Sequence, residues 1–105
     1  MNIMLSTLVN KLNHNELAVG YAASKIISRT FEIKSIRSKL DEKFSEPTIR
    51  SAINSLVKKG ILSIIQLDRK EMKDKIIVLT FTTEGRNACS LIKDAYLIAR
   101  QPQLV

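Results

Sequence analysis

The sequence has very few of the residues from which small proteins build covalent or metal-bound frameworks. It contains one cysteine, Cys89, one histidine, His14, and no tryptophan. A single cysteine excludes a disulfide within the chain, and it also excludes a zinc site made of clustered cysteines. We therefore predict that the protein has no metal site.

Glycine and proline are also scarce, with three and two residues, and the chain contains neither a repeat nor a Gly/Ser-rich linker. The 105 residues suit a single domain whose elements are joined tightly. No apolar run reaches the roughly 18 residues of a membrane helix, and Asn10, Lys11 and Asn13 interrupt the apolar N-terminal stretch. We expect a cytoplasmic protein with no membrane span and no cleaved signal.

The glycine-rich phosphate loops and the nucleophile–histidine pairs of common enzymes are missing as well. Asp41 and Glu42 are adjacent, so on a helix they would point apart and make a poor acid–base dyad. We predict that the protein is not an enzyme and needs no cofactor.

Positive charge is what the chain has in excess. Seventeen Lys and Arg against ten Asp and Glu leave a net charge of +7, within an otherwise ordinary globular composition. Such an excess favours a polyanionic partner, because Lys and Arg displace the counterions that surround nucleic acid. The alternative is a solvated basic surface with no specific role.

Hydrophobic periodicity predicts five helices and three strands. The first half of the chain is predicted to form helices over 3–12 and 16–30, a short strand over 31–33, and a brief helix that is capped by Ser35 and carries Ile36, Leu40 and Phe44. A helix from Ser45 to Lys59 follows. The chain then forms strands over 61–67 and 75–81, which pair as an antiparallel hairpin, and a last helix over 84–100 capped by Thr83. The two middle helices are expected to meet at a turn of about three residues.

The helix that begins at Ser45 has two different sides. Ser45 is a good N-cap, Pro47 falls in the first turn, and Gly60 stops the helix. One side of the helical wheel is apolar and carries Ile49, Ala52, Ile53, Leu56 and Val57. The opposite side is polar and carries Pro47, Ser51, Asn54, Ser55 and Lys58, flanked by Thr48 and Arg50.

The stretch from Ser35 to Gly85 resembles a winged helix-turn-helix module. The resemblance covers about half of the chain and rests on the phrase SEPTIRSAINSLVKKGIL and on the phrase VLTFTTEGR, which is similar to the end of the wing in MarR-like regulators. It implies an α+β fold, mainly α with a small β-hairpin, in a single domain over 1–105. Within it, 1–30 would form N-terminal helices, 35–81 the helix-turn-helix and wing, and 83–100 a C-terminal helix.

The resemblance also implies a DNA-binding site, since the second helix of such a module enters the major groove. Arg50 suits guanine and Asn54 suits adenine, while Ser45 and the helix amides suit a phosphate. The residues assigned to DNA are Ser45, Pro47, Thr48, Arg50, Ser51, Asn54 and Lys58 on the helix, and Arg69, Lys70 and Lys73 in the wing. Lys34, Arg37, Lys39 and Lys59 are further phosphate candidates. The alternatives are a merely solvent-facing helix side and a mixed-charge, solubilising hairpin tip.

Surplus apolar residues in the outer helices predict a homodimer. The residues assigned to the dimer interface are Leu5, Leu8, Val9 and Leu12 near the N-terminus and Leu91, Ile92 and Tyr96 in the last helix. A twofold dimer would present two recognition helices to successive major grooves. The alternative is that the outer helices wrap around their own module.

Three functions fit these expectations. The first is a dimeric transcriptional regulator, a repressor, that binds double-stranded DNA at specific sites. The second is a centromere-binding adaptor of a plasmid or phage partition system of the tubulin type. Either would be associated with the nucleoid or a plasmid. The third is a winged-helix protein-interaction module or antirepressor that does not use DNA.

Overall fold

The computed structural model describes residues 3–67 and 76–100. In these ranges the elements are α1 (Ile3–Asn10), α2 (His14–Ser24), β1 (Thr30–Phe31), α3 (Ile33–Lys39), α4 (Glu46–Lys58), β2 (Leu62–Leu67), β3 (Ile76–Phe81) and α5 (Thr83–Arg100). The strands form one antiparallel sheet in the order β1-β3-β2. The protein is therefore mainly helical with a small antiparallel sheet, an α+β fold.

Helix α2 starts where its cap dictates and ends earlier than its sequence predicts. The Asn13 side chain accepts from the backbone N–H of Glu16 at 2.8 Å, and Glu16 Oε1 accepts from the backbone N–H of Asn13 at 3.0 Å. This capping box fixes the first turn. The predicted continuation to residue 30 is wrong, because Thr30 and Phe31 extend to pair with Thr80 and Leu79 of β3.

Helix α3 differs most from its prediction. It begins at Ile33 after the cap position Glu32, rather than at Ser35, and Leu40 is already extended. The connection to α4 spans 40–45 and is longer than the expected turn of about three residues. Leu40 and Phe44, assigned to the helix by their spacing, instead pack from this connection against the core.

Helix α4 follows its prediction closely. Ser45 is the N-cap, a proline lies in the first turn, and Gly60 adopts φ +80 just past the end. Such a left-handed conformation suits glycine because it has no Cβ. On the apolar side, Ile49, Ala52, Ile53 and Leu56 are buried.

The hairpin is also confirmed. Strands β2 and β3 pair from Leu62 opposite Phe81 to Leu67 opposite Ile76. Arg69, Lys70 and Lys73, the predicted wing residues, lie outside the described residues.

A close backbone contact explains a glycine in the first turn of α5. The cap is Thr82 rather than the predicted Thr83, because Thr82 Oγ1 accepts from the backbone N–H of Gly85 at 2.9 Å. Gly85 is buried, and a Cβ at this position would collide with the backbone carbonyl of Ile61. Residue 85 must therefore be glycine for α5 to lie this close to the start of β2.

The core forms around α2, which packs against α3, α4 and α5, while α1 packs against α5. Four residues assigned to a dimer interface, Val9, Leu12, Ile92 and Tyr96, are 4%, 8%, 0% and 1% exposed within this single chain. They fill the core rather than an outer face. Leu5, Leu8 and Leu91 are half-buried against the same core. The apolar stripes of the outer helices are thus used within the chain.

No helix in the described part of the chain combines the length and apolar character needed to cross a bilayer.

Candidate nucleic-acid interface

The polar side of α4 is open to solvent. We call Glu46, Pro47, Arg50, Ser51, Asn54 and Lys58 the outer face of α4, and all six residues are exposed. Because Ile49, Ile53 and Leu56 hold the opposite side in the core, the helix cannot turn this face inward without losing that burial. Arg50 and Ser51 each lie about one helical turn before Asn54, so each of them neighbours Asn54 on the exposed side of the helix.

The hydroxyl groups at the start of α4 are engaged with each other. Ser45 Oγ lies 2.8 Å from Thr48 Oγ1 and accepts from the backbone N–H of Thr48 at 3.4 Å. Thr48 is half-buried, so of the helix residues assigned to bases it is the least open. The Ser45 hydroxyl acts as the helix cap.

Arg50 is paired rather than free. The Glu46 carboxylate accepts from Arg50 Nη2 at 3.3 Å and lies 3.1 Å from Arg37 Nη2 on α3. All three side chains are about half exposed, at 50%, 52% and 54% for Arg37, Glu46 and Arg50. Sequence reasoning missed this cluster. The four-residue spacing of Glu46 and Arg50 could have revealed one of its pairs.

A shallow groove continues the outer face of α4 toward the sheet. Its volume is about 320 Å³, and its lining includes Lys34, Arg37, Glu46, Arg50 and Ile77. Lys34 Nζ lies 3.2 Å from a carboxylate oxygen of Glu32 but is itself highly exposed. The groove therefore joins α3, α4 and β3 in a surface of mixed charge, in which Lys34, Arg37 and Arg50 lie beside two carboxylates.

The side chains of Lys58 and Lys59, at the end of α4, have different surroundings. Lys58 is exposed on the outer face. Lys59 Nζ instead donates to both carboxylate oxygens of Glu16, at 2.9 and 2.7 Å, and to the Lys11 carbonyl at 3.1 Å. Since Glu16 is 2% exposed, this bridge neutralises a buried carboxylate. Lys59 thus ties the end of α4 to the start of α2, so its ammonium is engaged within the chain, and its contact with a phosphate stays a prediction.

A second polar cluster holds the connection that leads into α4. Glu42 Oε2 accepts from the Tyr96 hydroxyl at 2.7 Å and lies 2.7 Å from His14 Nε2. Arg100 Nη1 donates to the Tyr96 hydroxyl at 3.2 Å and lies 3.6 Å from Asp41, which is also 2.9 Å from Lys25 Nζ.

The electrostatics of this cluster follow from these contacts. The hydrogen bond from Tyr96 is the main cause that lowers the pKa of Glu42, with His14 and Arg100 acting in the same direction. Burial, together with the Glu42 carboxylate, raises the pKa of Tyr96 to about 12. The cluster therefore consists of an ionised carboxylate held by a neutral phenol.

Within residues 3–67 and 76–100, no group of three or more His, Cys, Asp or Glu side chains is arranged to hold a metal ion. Cys89 is half-buried, and its Sγ lies 3.4 Å from the Gly85 carbonyl. Burial raises the pKa of its thiol.

Comparisons of the chain with protein-family models, with curated proteins and with solved structures found no match.

Proposed function

We propose that the protein binds double-stranded DNA at specific sites through the outer face of α4 and acts as a transcriptional repressor. The observation that carries this proposal is a capped, two-sided helix whose outer face is exposed while its apolar side is fixed in the core. An α-helix of this kind fits the major groove, where each base pair presents a distinct pattern of donors and acceptors.

The chemistry of the exposed stripe supports base recognition. Arg50 can donate two parallel hydrogen bonds to guanine, Asn54 can pair with the edge of adenine, and Ser51 can contact either. The order of elements around α4 also matches the winged helix-turn-helix arrangement that the sequence resembles. Helix α3 precedes it, and the β2–β3 hairpin follows it.

Basic side chains beside the outer face supply the sequence-independent part of the proposed affinity. Lys58 is exposed at one end of α4, and Lys34 is exposed beyond the other end, across the groove. Such residues contact phosphates and fix the register of the protein on the duplex. Arg69, Lys70 and Lys73 of the wing belong to the same proposal through the resemblance.

A homodimer is part of the proposal, although its interface differs from the one expected. The large apolar side chains that remain exposed on α5 are Leu97, 39% exposed, and Ile98, 66% exposed. If two chains paired near these residues, the dimer would present two copies of α4 to one DNA site. Their half-sites would then lie about one helical turn apart.

The direct test is binding to a random-sequence duplex over a series of salt concentrations, followed by a footprint on the native locus. We expect log affinity to fall linearly with log salt, with a slope of about 0.9 per phosphate contacted. One or two protected half-sites near a promoter would support the repressor. A long, cooperatively filled array of repeats would favour the partition adaptor, and no binding at any salt concentration would contradict the proposal and favour an interaction module.

A further inference from the structure

One acidic side chain stands on the outer face of α4 among the described residues, and it is Glu46. Two guanidinium groups from different helices converge on its carboxylate, Arg37 from α3 and Arg50 from α4. Both arginines are candidates for DNA contacts, so a carboxylate between them is an unexpected choice for a surface that binds a polyanion. Arg37 reaches Glu46 only because α3 and α4 pack together, so the cluster belongs to the fold and not to α4 alone.

The Glu46 carboxylate between the two arginines hinders the approach of a phosphate more than the approach of a base edge. A phosphate that approaches either arginine must displace the carboxylate or tolerate a second negative charge within a few ångströms, where exposed charges still repel one another. A base edge carries only partial charges, so the carboxylate repels it less than it repels a phosphate. Arg50 has five N–H donors in a rigid fork, so donors remain for the O6 and N7 atoms of guanine while one holds Glu46.

We propose that Glu46 is a specificity-determining residue, which withholds Arg37 and Arg50 from the phosphates of non-cognate DNA and orients Arg50 for a base edge. The inference rests on the proposed function, because it assigns a role within the same DNA-binding surface. It also assigns Glu46 a partner of its own, since a carboxylate beside a guanine contact can accept from the N4 amino group of a neighbouring cytosine.

Helix electrostatics offers a second role for Glu46 that must be separated from this one. A carboxylate in the first turn stabilises a helix through the macrodipole, whatever the surface binds. That role affects folding but leaves the number of phosphate contacts unchanged. The salt dependence of binding therefore distinguishes the two roles.

The experiment compares Glu46→Gln with Glu84→Gln. Glu84 is also an exposed acidic residue in the first turn of a helix, and its described contacts include no ion pair, so both variants make the same change in net charge and in the macrodipole. We expect Glu46→Gln to bind a random-sequence duplex about threefold to tenfold more tightly, the factor for releasing two surface ion pairs. Its salt slope should steepen by about one or two units as new phosphates are contacted.

A second substitution tests the mechanism. In the Glu46→Gln background, Arg37→Gln should remove much of the gained affinity and of the added slope, because one of the released cations is lost. On a duplex selected by the parent protein, Glu46→Gln should gain less affinity than it gains on the random duplex. The ratio of the affinity for the selected duplex to the affinity for the random duplex should therefore be lower in the variant than in the parent.

The outcomes separate the inference from the proposed function. If the parent binds duplex and Glu46→Gln matches Glu84→Gln or binds more weakly, the role of Glu46 is overturned while DNA binding stands. If the parent and every variant fail to bind, both are overturned. The inference and the proposed function are both supported if Glu46→Gln, but not Glu84→Gln, binds duplex more tightly and with a steeper salt dependence. Arg37→Gln must then remove much of that gain in affinity.

Discussion

Arg50 illustrates how far the role of one side chain depends on its neighbours. Its exposure on α4 follows from the 3.6-residue period, which a sequence displays directly. Its pairing with Glu46 is local and follows from the four-residue spacing. The participation of Arg37, and likewise the bridge from Lys59 to Glu16, depends on tertiary packing between distant segments. No local pattern predicts such contacts.

Replacing Arg50 by alanine tests the proposed base contact. We expect Arg50→Ala to cost about 1 to 3 kcal/mol on the preferred site and to relax base preference there, because a bidentate contact is lost. Lys58→Ala is the matched control, since it removes an exposed cation from the same helix. It should weaken all duplexes alike and lower the salt slope by about one. Affinities measured on a set of single-base variants of the site would check both results, and identical profiles for the two variants would contradict the assignment of Arg50.

At the scale of elements, strong local signals predict both ends of α4, whereas contacts between distant segments displace other boundaries from their predicted places. The sequence correctly placed the start and stop of α4, because Ser45 and Gly60 act locally. It extended α2 too far, since the pairing of Thr30 and Phe31 with β3 is a long-range contact that overrides helix propensity. It overlooked the long connection before α4 for a similar reason, as that segment is held by side chains from α2 and α5.

The packing of α5 on β2 yields a prediction for Gly85. Alanine normally stabilises a helix by up to about 1 kcal/mol relative to glycine. Gly85→Ala should instead destabilise the protein by about 1 to 3 kcal/mol, because the new methyl group collides with the Ile61 carbonyl and the backbone must shift. Urea denaturation followed by circular dichroism measures this change.

Gly20→Ala is the control for that experiment. Gly20 is also helical and buried, but a Cβ there meets the Ile92 side chain at 3.2 Å rather than a backbone carbonyl. Since a side chain can move slightly, we expect a clearly smaller loss. Equal losses in the two variants would mean that the contact with Ile61 is not what requires glycine at position 85.

Across the whole molecule, the cluster around Glu42 makes stability depend on pH. The pKa of Glu42 is lowered in the folded protein from its ordinary value of 4.5, chiefly by the Tyr96 hydrogen bond. A lowered pKa contributes stability that is present above pH 4.5 and is lost as the pH falls through the folded value. The groups that face this carboxylate, Tyr96, His14 and Arg100, come from two different helices.

Tyr96→Phe removes the main donor to Glu42 and the acceptor for Arg100, and should destabilise the protein by about 1 to 3 kcal/mol at pH 7, the range for hydrogen bonds to charged groups. The difference from the parent should shrink at a second, acidic pH, below the lowered pKa of Glu42, where this carboxylate has taken up a proton. Tyr21→Phe is the control, because the Tyr21 ring packs 5.3 Å from that of Tyr96 and its hydroxyl has no described hydrogen bond. Urea midpoints at both pH values measure the effect, and a pH-independent loss for Tyr96→Phe would argue against the Glu42 interaction.

Contacts from the last turns of α5 help to hold the segment that precedes α4. Tyr96 and Arg100 belong to the last turns of α5, yet the groups they hold, Glu42 and Asp41, lie just upstream of Ser45. A truncation that stopped short of Tyr96 would remove a buried core residue and two of the contacts to this segment, and it would leave the contacts from His14 and Lys25. The segment that leads into α4 is thus held in part by residues more than forty positions downstream of it.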